Sequence, residues 1–342
     1  MTRRPWLLVV SCLMSACNSG REGALRDSTT MAVDSGEAPR RLASDAILTI
    51  VNSARLAAPL RAAADSFAGR EAVQVLQERM DDAGVAGSLD TARIRAALGQ
   101  SPDVVALRAE AFPQMLIPAH TTWYVLFARD RMVLAYRDST RGAATIDSTN
   151  WWKVLQRRGM RVGRVAPTAG PAGYRALLVL QLADAHYGEP RLAAKLLAAS
   201  PSRYVRPTEA DLVSMLDSGD VDYAWLHEST ASAAGVRFLR LPHETDLGEP
   251  ADSSLYAAVE VAVPRDSLGD TVRVRGAPIA YGMSIPNAAT SPRHAERFLR
   301  FLLSEEGRRL LRAGHLDVVS PPVAVGSDVP PAILASLGSG PP

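Results

Sequence analysis

Residues 123–138 read W-Y-V-L-F-A-R-D-R-M-V-L-A-Y-R-D, an extended apolar run interrupted only by R-D-R. A strand in a globular sheet spans about five or six residues, so a run of this length has room to leave one sheet and enter another. That crossing implies two sheets, and the patterns on either side show what each is built from.

Upstream, A-I-L-T-I-V at 46–51 is a short buried strand, and Asn52-Ser53-Ala54 turns the chain into a helical pattern. Leu56, Leu60, Ala63, Ala64 and Phe67 share one face of that helix. Pro59 sits early in it, where a missing N–H costs least. A-V-Q-V-L-Q follows as a strand, A-G-S-L-D-T-A-R-I-R-A-A-L-G as a turn and helix, and D-V-V-A-L as a strand. Strand, helix, strand, helix, strand implies a parallel sheet with helices on its faces.

Downstream comes a second series: R-V-G-R-V-A, a helix after Gly170-Pro171-Ala172-Gly173, T-E-A-D-L-V-S-M-L-D-S-G, V-D-Y-A-W-L, and A-G-V-R-F-L-R-L-P. Thr208 and Asp211 stand at capping-box spacing, and Gly219 closes that helix. Y-A-A-V-E-V-A-V and A-P-I-A-Y-G-M-S-I-P form a second pair of extended stretches, and S-P-R-H-A-E-R-F-L-R-F-L-L-S-E-E-G-R-R-L-L reads as one amphipathic helix. The fold class is α/β, with two lobes around central β-sheets joined by two crossings. The first lobe is expected at 45–127 and 276–326, the second at 128–275, and a tail at 327–342.

The first sixteen residues carry Arg3 and Arg4, an apolar run and then small residues, the pattern of a secretory signal too short to span a bilayer. Leu13-Met14-Ser15-Ala16-Cys17 resembles the bacterial lipobox, which makes Cys17 the lipidated first residue of the mature chain; an ordinary signal with an incidental cysteine is the alternative. Residues 18–44 lack apolar periodicity and read as a flexible tether of roughly 30 Å span. Cys12 leaves with the signal, so no pair remains to oxidise and stability rests on the core. Loss of Arg3 and Arg4 leaves 36 basic against 36 acidic residues, and no basic patch argues for a nucleic-acid partner.

Ligands of such sheets bind where strands lead into helices. Asn52-Ser53-Ala54, Ala86-Gly87-Ser88 and Gly170-Pro171-Ala172-Gly173 each open a helix with free N–H groups, and their convergence would bind an anion. Taken singly, Ser53 and Ser88 could equally be plain helix caps. No nucleophile elbow, P-loop or zinc pair is present, so no catalytic residue and no metal ligand is assigned. His120, His186, His227, His243, His294 and His315 lack ligand spacing and read as surface or capping residues, while Trp151-Trp152 reads as packing for a short helix.

From about residue 46 to 326 the order of motifs resembles the tungstate/molybdate-binding subunits of ABC importers. The resemblance is carried by A-G-S at 86–88, M-L-I-P at 115–118, P-A-G-Y-R at 171–175, V-R-P-T-E at 205–209, D-Y-A-W at 222–225 and P-I-A-Y-G-M-S-I-P at 278–286. It implies the type II periplasmic binding protein fold, a hinge, and capture of molybdate or tungstate for a membrane permease, with no cofactor, a monomeric state and a lipid anchor facing the periplasm or cell exterior.

Carried over, Ser88 contacts the oxyanion through hydroxyl and amide, and Ser53, Ala54 and Arg55 fall on the family's A-G-S turn. Arg55 replaces a serine and is a candidate for a bidentate contact or for a solvent-facing role. Ala172, Gly173 and Tyr174 complete the wall. Gly170 stands where the family has a metal-coordinating aspartate. Glu228 is the candidate for the second carboxylate, with Leu226 in that place if the alignment shifts by two positions. The alternatives are a receptor for sulfate, phosphate or a small carboxylate, or a sensor or scaffold on the same fold.

Overall fold

The computed structural model describes residues 46–80, 91–264 and 271–338. Among them the strands are β1 (Ile47–Ser53), β2 (Gln74–Met80), β3 (Val104–Arg108), β4 (Trp123–Arg129), β5 (Met132–Tyr136), β6 (Val162–Val165), β7 (Val205–Arg206), β8 (Tyr223–His227), β9 (Arg237–Arg240), β10 (Glu260–Pro264), β11 (Thr271–Arg275), β12 (Ala280–Ser284) and β13 (Asp317–Gly326). The helices are α1 (Ala57–Glu71), α2 (Thr91–Gly99), α3 (Trp151–Leu155), α4 (Pro171–Tyr187), α5 (Leu192–Ala198), α6 (Glu209–Asp217), α7 (Glu228–Ala233), α8 (His243–Asp246), α9 (Ser253–Tyr256), α10 (Pro292–Leu303), α11 (Glu305–Ala313) and α12 (Pro331–Ser336). The signal, Cys17, the tether and the turn bearing Ser88 lie outside the described residues.

The strands form a six-stranded sheet in the order β13-β4-β12-β3-β1-β2 and a five-stranded sheet in the order β7-β6-β8-β5-β9. In the first, β1 runs parallel to β2 and β3, as the strand-helix alternation requires, while β12 joins antiparallel between β3 and β4. In the second, β6 and β8 are parallel and β5 is antiparallel to β8 and β9. Leu48, Ile50, Val104 and Phe127 are buried against the first sheet and Trp151, Trp225 and Tyr223 against the second, all within one continuous apolar core. Trp151 donates its indole N–H to the Tyr187 hydroxyl at 3.0 Å, so the tryptophan pair does anchor a short helix.

Three details depart from the sequence pattern. The expected single helix after residue 291 breaks at Ser304, whose extended backbone caps α11 and lets α10 and α11 turn separately onto α1. The Y-A-A-V-E-V-A-V stretch does not cross between sheets; β10 pairs with β11 in a ribbon of their own. The expected tail contains α12, which buries Ile333 and packs on α10.

Only Asp130 and Arg131 separate β4 in the first sheet from β5 in the second. Asp130 donates its N–H to the Ile279 carbonyl at 2.8 Å, and Ile279 donates to the Leu247 carbonyl at 2.8 Å, so outgoing and returning chains lie side by side. Arg131 bonds Asp317 at 2.5 Å and faces Asp246 at 3.7 Å and Glu228 at 3.4 Å. Burial raises the Asp246 pKa from the ordinary 3.8 to about 6, against the Gly248 N–H and the Arg131 charge, which favour ionisation.

A carboxyl with a raised pKa in the folded state contributes stability that is present below pH 3.8 and is lost as pH rises through about 6. Asp246→Asn is therefore expected to raise stability at pH 7.5 by about 1–2 kcal/mol and to flatten the pH profile between 4 and 7. Urea unfolding across that range checks it; a variant less stable at pH 7.5 would mean that the attraction to Arg131 exceeds the cost of burial.

Candidate ligand cleft

The corner between β1 and α1 is fixed by side-chain amides. Asn52, fully buried, donates Nδ2 to the Ser53 carbonyl at 2.8 Å and accepts at Oδ1 from Gln77 Nε2 at 2.8 Å, which also reaches the Ala57 carbonyl at 3.0 Å. Ser53 is buried, makes no side-chain cap and does not reach the cleft; the residues after it, Ala54 and Arg55, do.

Facing this corner is the loop from β6 into α4. Gly170 has φ +149°, a conformation that side-chain-bearing residues avoid, and a Cβ placed there would meet nothing within 4 Å. Gly170, Pro171 and Ala172 line a cavity of about 420 Å³, with Arg55 and Ala54 opposite and Thr208 and Glu209 at the entry to α6. Two helices, α4 and α6, thus begin at its wall, each with the positive end of its dipole there. Gly173 plays a different part from the one expected. Its Cβ position lies 2.1 Å from the Ala166 carbonyl oxygen, and its N–H bonds the Gly170 carbonyl at 3.1 Å. It therefore lets α4 press on its own entry loop and takes no place in the cavity wall.

The fifth residue of α4 is Arg175, 5% exposed, which lines the cavity and an adjoining one of about 430 Å³. Its Nη1 bonds His227 Nε2 at 3.0 Å, and among the described residues no carboxylate lies within ion-pair distance of it. Strand alternation explains the meeting. Tyr223, Trp225 and His227 of β8 face α4, whereas Ala224 and Leu226 face α6. Tyr174, beside Arg175, takes a bond from Arg108 Nη1 at 3.1 Å and borders the adjoining cavity.

His227 is fully buried, which corrects its reading as a surface histidine; it stands at the N-cap of α7, but its side chain makes no cap bond. Burial and then Arg55 hold its pKa below the ordinary 6.5, against the pull of Glu209. Arginine only donates, so neutral His227 accepts at Nε2 and carries its proton on Nδ1, 3.0 Å from Glu209 Oε1. The same oxygen accepts the His227 backbone N–H at 2.7 Å. Glu209 Oε2 accepts from Arg55 Nη2 at 2.5 Å. Burial opposes the Glu209 charge, but Arg55 and then His227 outweigh it and keep the carboxyl well below its usual range. Burial likewise opposes the Arg55 charge, and Glu209 together with Tyr281 and Asp130 outweighs it.

Of the expected wall, Ala54, Arg55, Gly170 and Ala172 come together. Arg55 is neither solvent-facing nor free for a bidentate contact, because Glu209, Thr230 at 2.8 Å and Ser229 at 3.2 Å take its fork. Glu228 does not reach the cavity. It opens α7, where its carboxylate bonds Arg240 at 2.6 and 2.7 Å. Leu226, the alternative, is buried in the apolar core against α6. Among the described residues no group of three His, Cys, Asp or Glu could hold a metal ion. Sequence reasoning missed Arg175, Glu209 and His227, although P-A-G-Y-R and V-R-P-T-E each place a charged residue at the entry to a helix.

Two α/β lobes with paired crossings and a cleft at helix entries define a solute-binding protein. The family profile "Bacterial extracellular solute-binding protein" matches residues 48–316, and the chain belongs to that family. It is similar to the molybdate/tungstate-binding protein WtpA of Pyrococcus abyssi, 32% identical over 263 residues, which cover 70% of this chain and 75% of that one. An uncharacterized solute-binding protein of Petrotoga mobilis is 30% identical over 256 residues, 75% of this chain and 80% of that one. Among solved structures, the substrate-binding domain assigned to a molybdenum ABC transporter from Clostridium difficile superposes with a TM-score of 0.53 at 15% identity, over 80% of this chain and 99% of that one. That likeness establishes the type II periplasmic binding protein fold.

Gly173→Ala is expected to lower stability by about 1–3 kcal/mol, since the methyl must displace backbone rather than a side chain. A drop in melting temperature is the readout, and an unchanged value would mean that the loop before α4 yields freely.

Proposed function

We propose that the chain is the extracytoplasmic receptor of an ABC importer and closes its cleft on a small oxyanion, molybdate or tungstate. Arg175 carries the reading. It is a buried cation on the cavity wall whose hydrogen-bond partner is an uncharged imidazole, and the entries of α4 and α6 add two positive dipole ends beside it. A buried charge without a counter-charge is costly, and an anion in the cavity supplies one. The named relative from Pyrococcus abyssi supports the choice of oxyanion.

With Gly170 in place of the family's aspartate and no carboxylate from Glu228 or Leu226, the anion stays tetrahedral and is held by N–H donors and guanidinium. Ser88 adds its hydroxyl from the first lobe. Ligand contact with both lobes selects the closed form. Cys17 anchors the chain by a lipid to a membrane facing the periplasm or cell exterior, a monomer handing its ligand to the permease. The chain performs no catalysis in this reading.

A thermal-unfolding titration of residues 18–342 tests it. Molybdate or tungstate at about 100 times the dissociation constant adds roughly 2.7 kcal/mol of stability, while Arg175→Met loses the response and keeps the fold. A response to sulfate, phosphate or a small carboxylate instead would assign the site to that anion. Silence from all of them would overturn the oxyanion reading.

A further inference from the structure

We infer that Arg55 does not hold the ligand but latches the two lobes to each other, with Glu209 as the residue that positions it. Arg55 stands on the β1–α1 corner of the first lobe, and its hydrogen-bond and carboxylate partners, Glu209, Thr230, Ser229 and Asp130, belong to the second lobe or to the crossing. Nη2 bonds Glu209 Oε2 at 2.5 Å, Nη1 bonds Thr230 Oγ1 at 2.8 Å and Ser229 Oγ at 3.2 Å, and Nε lies 4.0 Å from Asp130. The side chain forms a partition between the anion cavity and another opening of about 470 Å³ lined by Ala58, Pro59, Ala210 and Thr230. A group that divides two openings and spends its donors on protein closes the cleft there.

Glu209 is ready for this before Arg55 arrives. Its Oε1 takes two bonds from His227, backbone N–H and Nδ1–H, which fixes the carboxylate and leaves Oε2 directed to the first lobe. The short cation-carboxylate contact is charge-assisted and largely withdrawn from water. The consequence is a population of closed protein without ligand. Apparent affinity equals intrinsic affinity scaled by the closed fraction, so loss of the latch weakens binding without touching the ligand.

The test uses Arg55→Met, Glu209→Gln and the double variant, with Thr230→Val as a milder latch variant whose fold is at less risk. Small-angle scattering of ligand-free protein is expected to show a larger radius of gyration in the three single variants than in the wild type. Molybdate affinity, read by calorimetry, is expected to fall about tenfold in Arg55→Met, and by much less than a further tenfold when Arg55→Met is added to Glu209→Gln, where only the Thr230 and Ser229 bonds remain to be lost. If Arg55→Met weakens binding as strongly in the Glu209→Gln background as in the wild type, Arg55 touches the ligand and the latch is wrong. Unchanged scattering in Arg55→Met and Thr230→Val would sink it as well. The scattering comparison needs no ligand, so failure of wild-type protein to bind any anion refutes the oxyanion reading alone.

Discussion

One carboxylate organises the cleft. Glu209, the first residue of α6, bonds His227 with one oxygen and Arg55 with the other, and so determines the state of both cavity cations. By taking the imidazole Nδ1 proton it leaves Nε2 as the acceptor that holds Arg175 at the wall. Its pairing with Arg55 neutralises that cation. The result is an asymmetry: one arginine is internally satisfied, and the other faces the cavity with no carboxylate partner among the described residues. Removing one member of such a buried pair typically costs about 3–5 kcal/mol, because the remaining charge is stranded.

This relay is tied to the crossing between the lobes. Asp130, in the two-residue link between β4 and β5, accepts from the Ser229 hydroxyl at 2.5 Å and from the Ser229 N–H at 3.2 Å. The Ser229 oxygen is also reached by Arg55 Nη1 at 3.2 Å. The place where the chain bends and the place where the lobes meet therefore share one hydroxyl. A change in the angle between lobes must disturb that bond, which couples hinge geometry to the cleft without a long pathway.

Much of the fold was legible because it rests on local pattern. The parallel β1-β2-β3 unit follows from alternating strand and helix patterns, and the capping box of Thr208 and Asp211 forms with both bonds present. The break at Ser304 was passed over because apolar spacing continues through it, although a serine that caps the Gly307 N–H and is followed by Glu305 and Glu306 is the pattern of a helix start. For the site, Gly170 and Ala54 were found from the chemistry of helix entries, and Arg55 from the resemblance. Glu209 was passed over because an acid in a first helical turn already has an ordinary purpose, favouring the helix dipole. His227 and Arg175 lie 52 positions apart and meet only because β8 alternates faces beneath α4, a relation no linear spacing displays.

The substitutions around the cleft make sense as one redistribution of charge. Where the resemblance places a carboxylate at 170, this chain has a glycine whose absent side chain leaves open space on the wall. Where it places a serine at 55, this chain has an arginine, paired with Glu209. One carboxylate is lost and one cation is gained, but that cation is spent on Glu209, and Arg175 with the α4 entry faces the cavity. On the proposed reading, recognition rests on field and N–H donors rather than on a coordination sphere. Such a site discriminates anions by charge and size through a low-dielectric wall, where an interaction is screened much less by salt than one at the open surface.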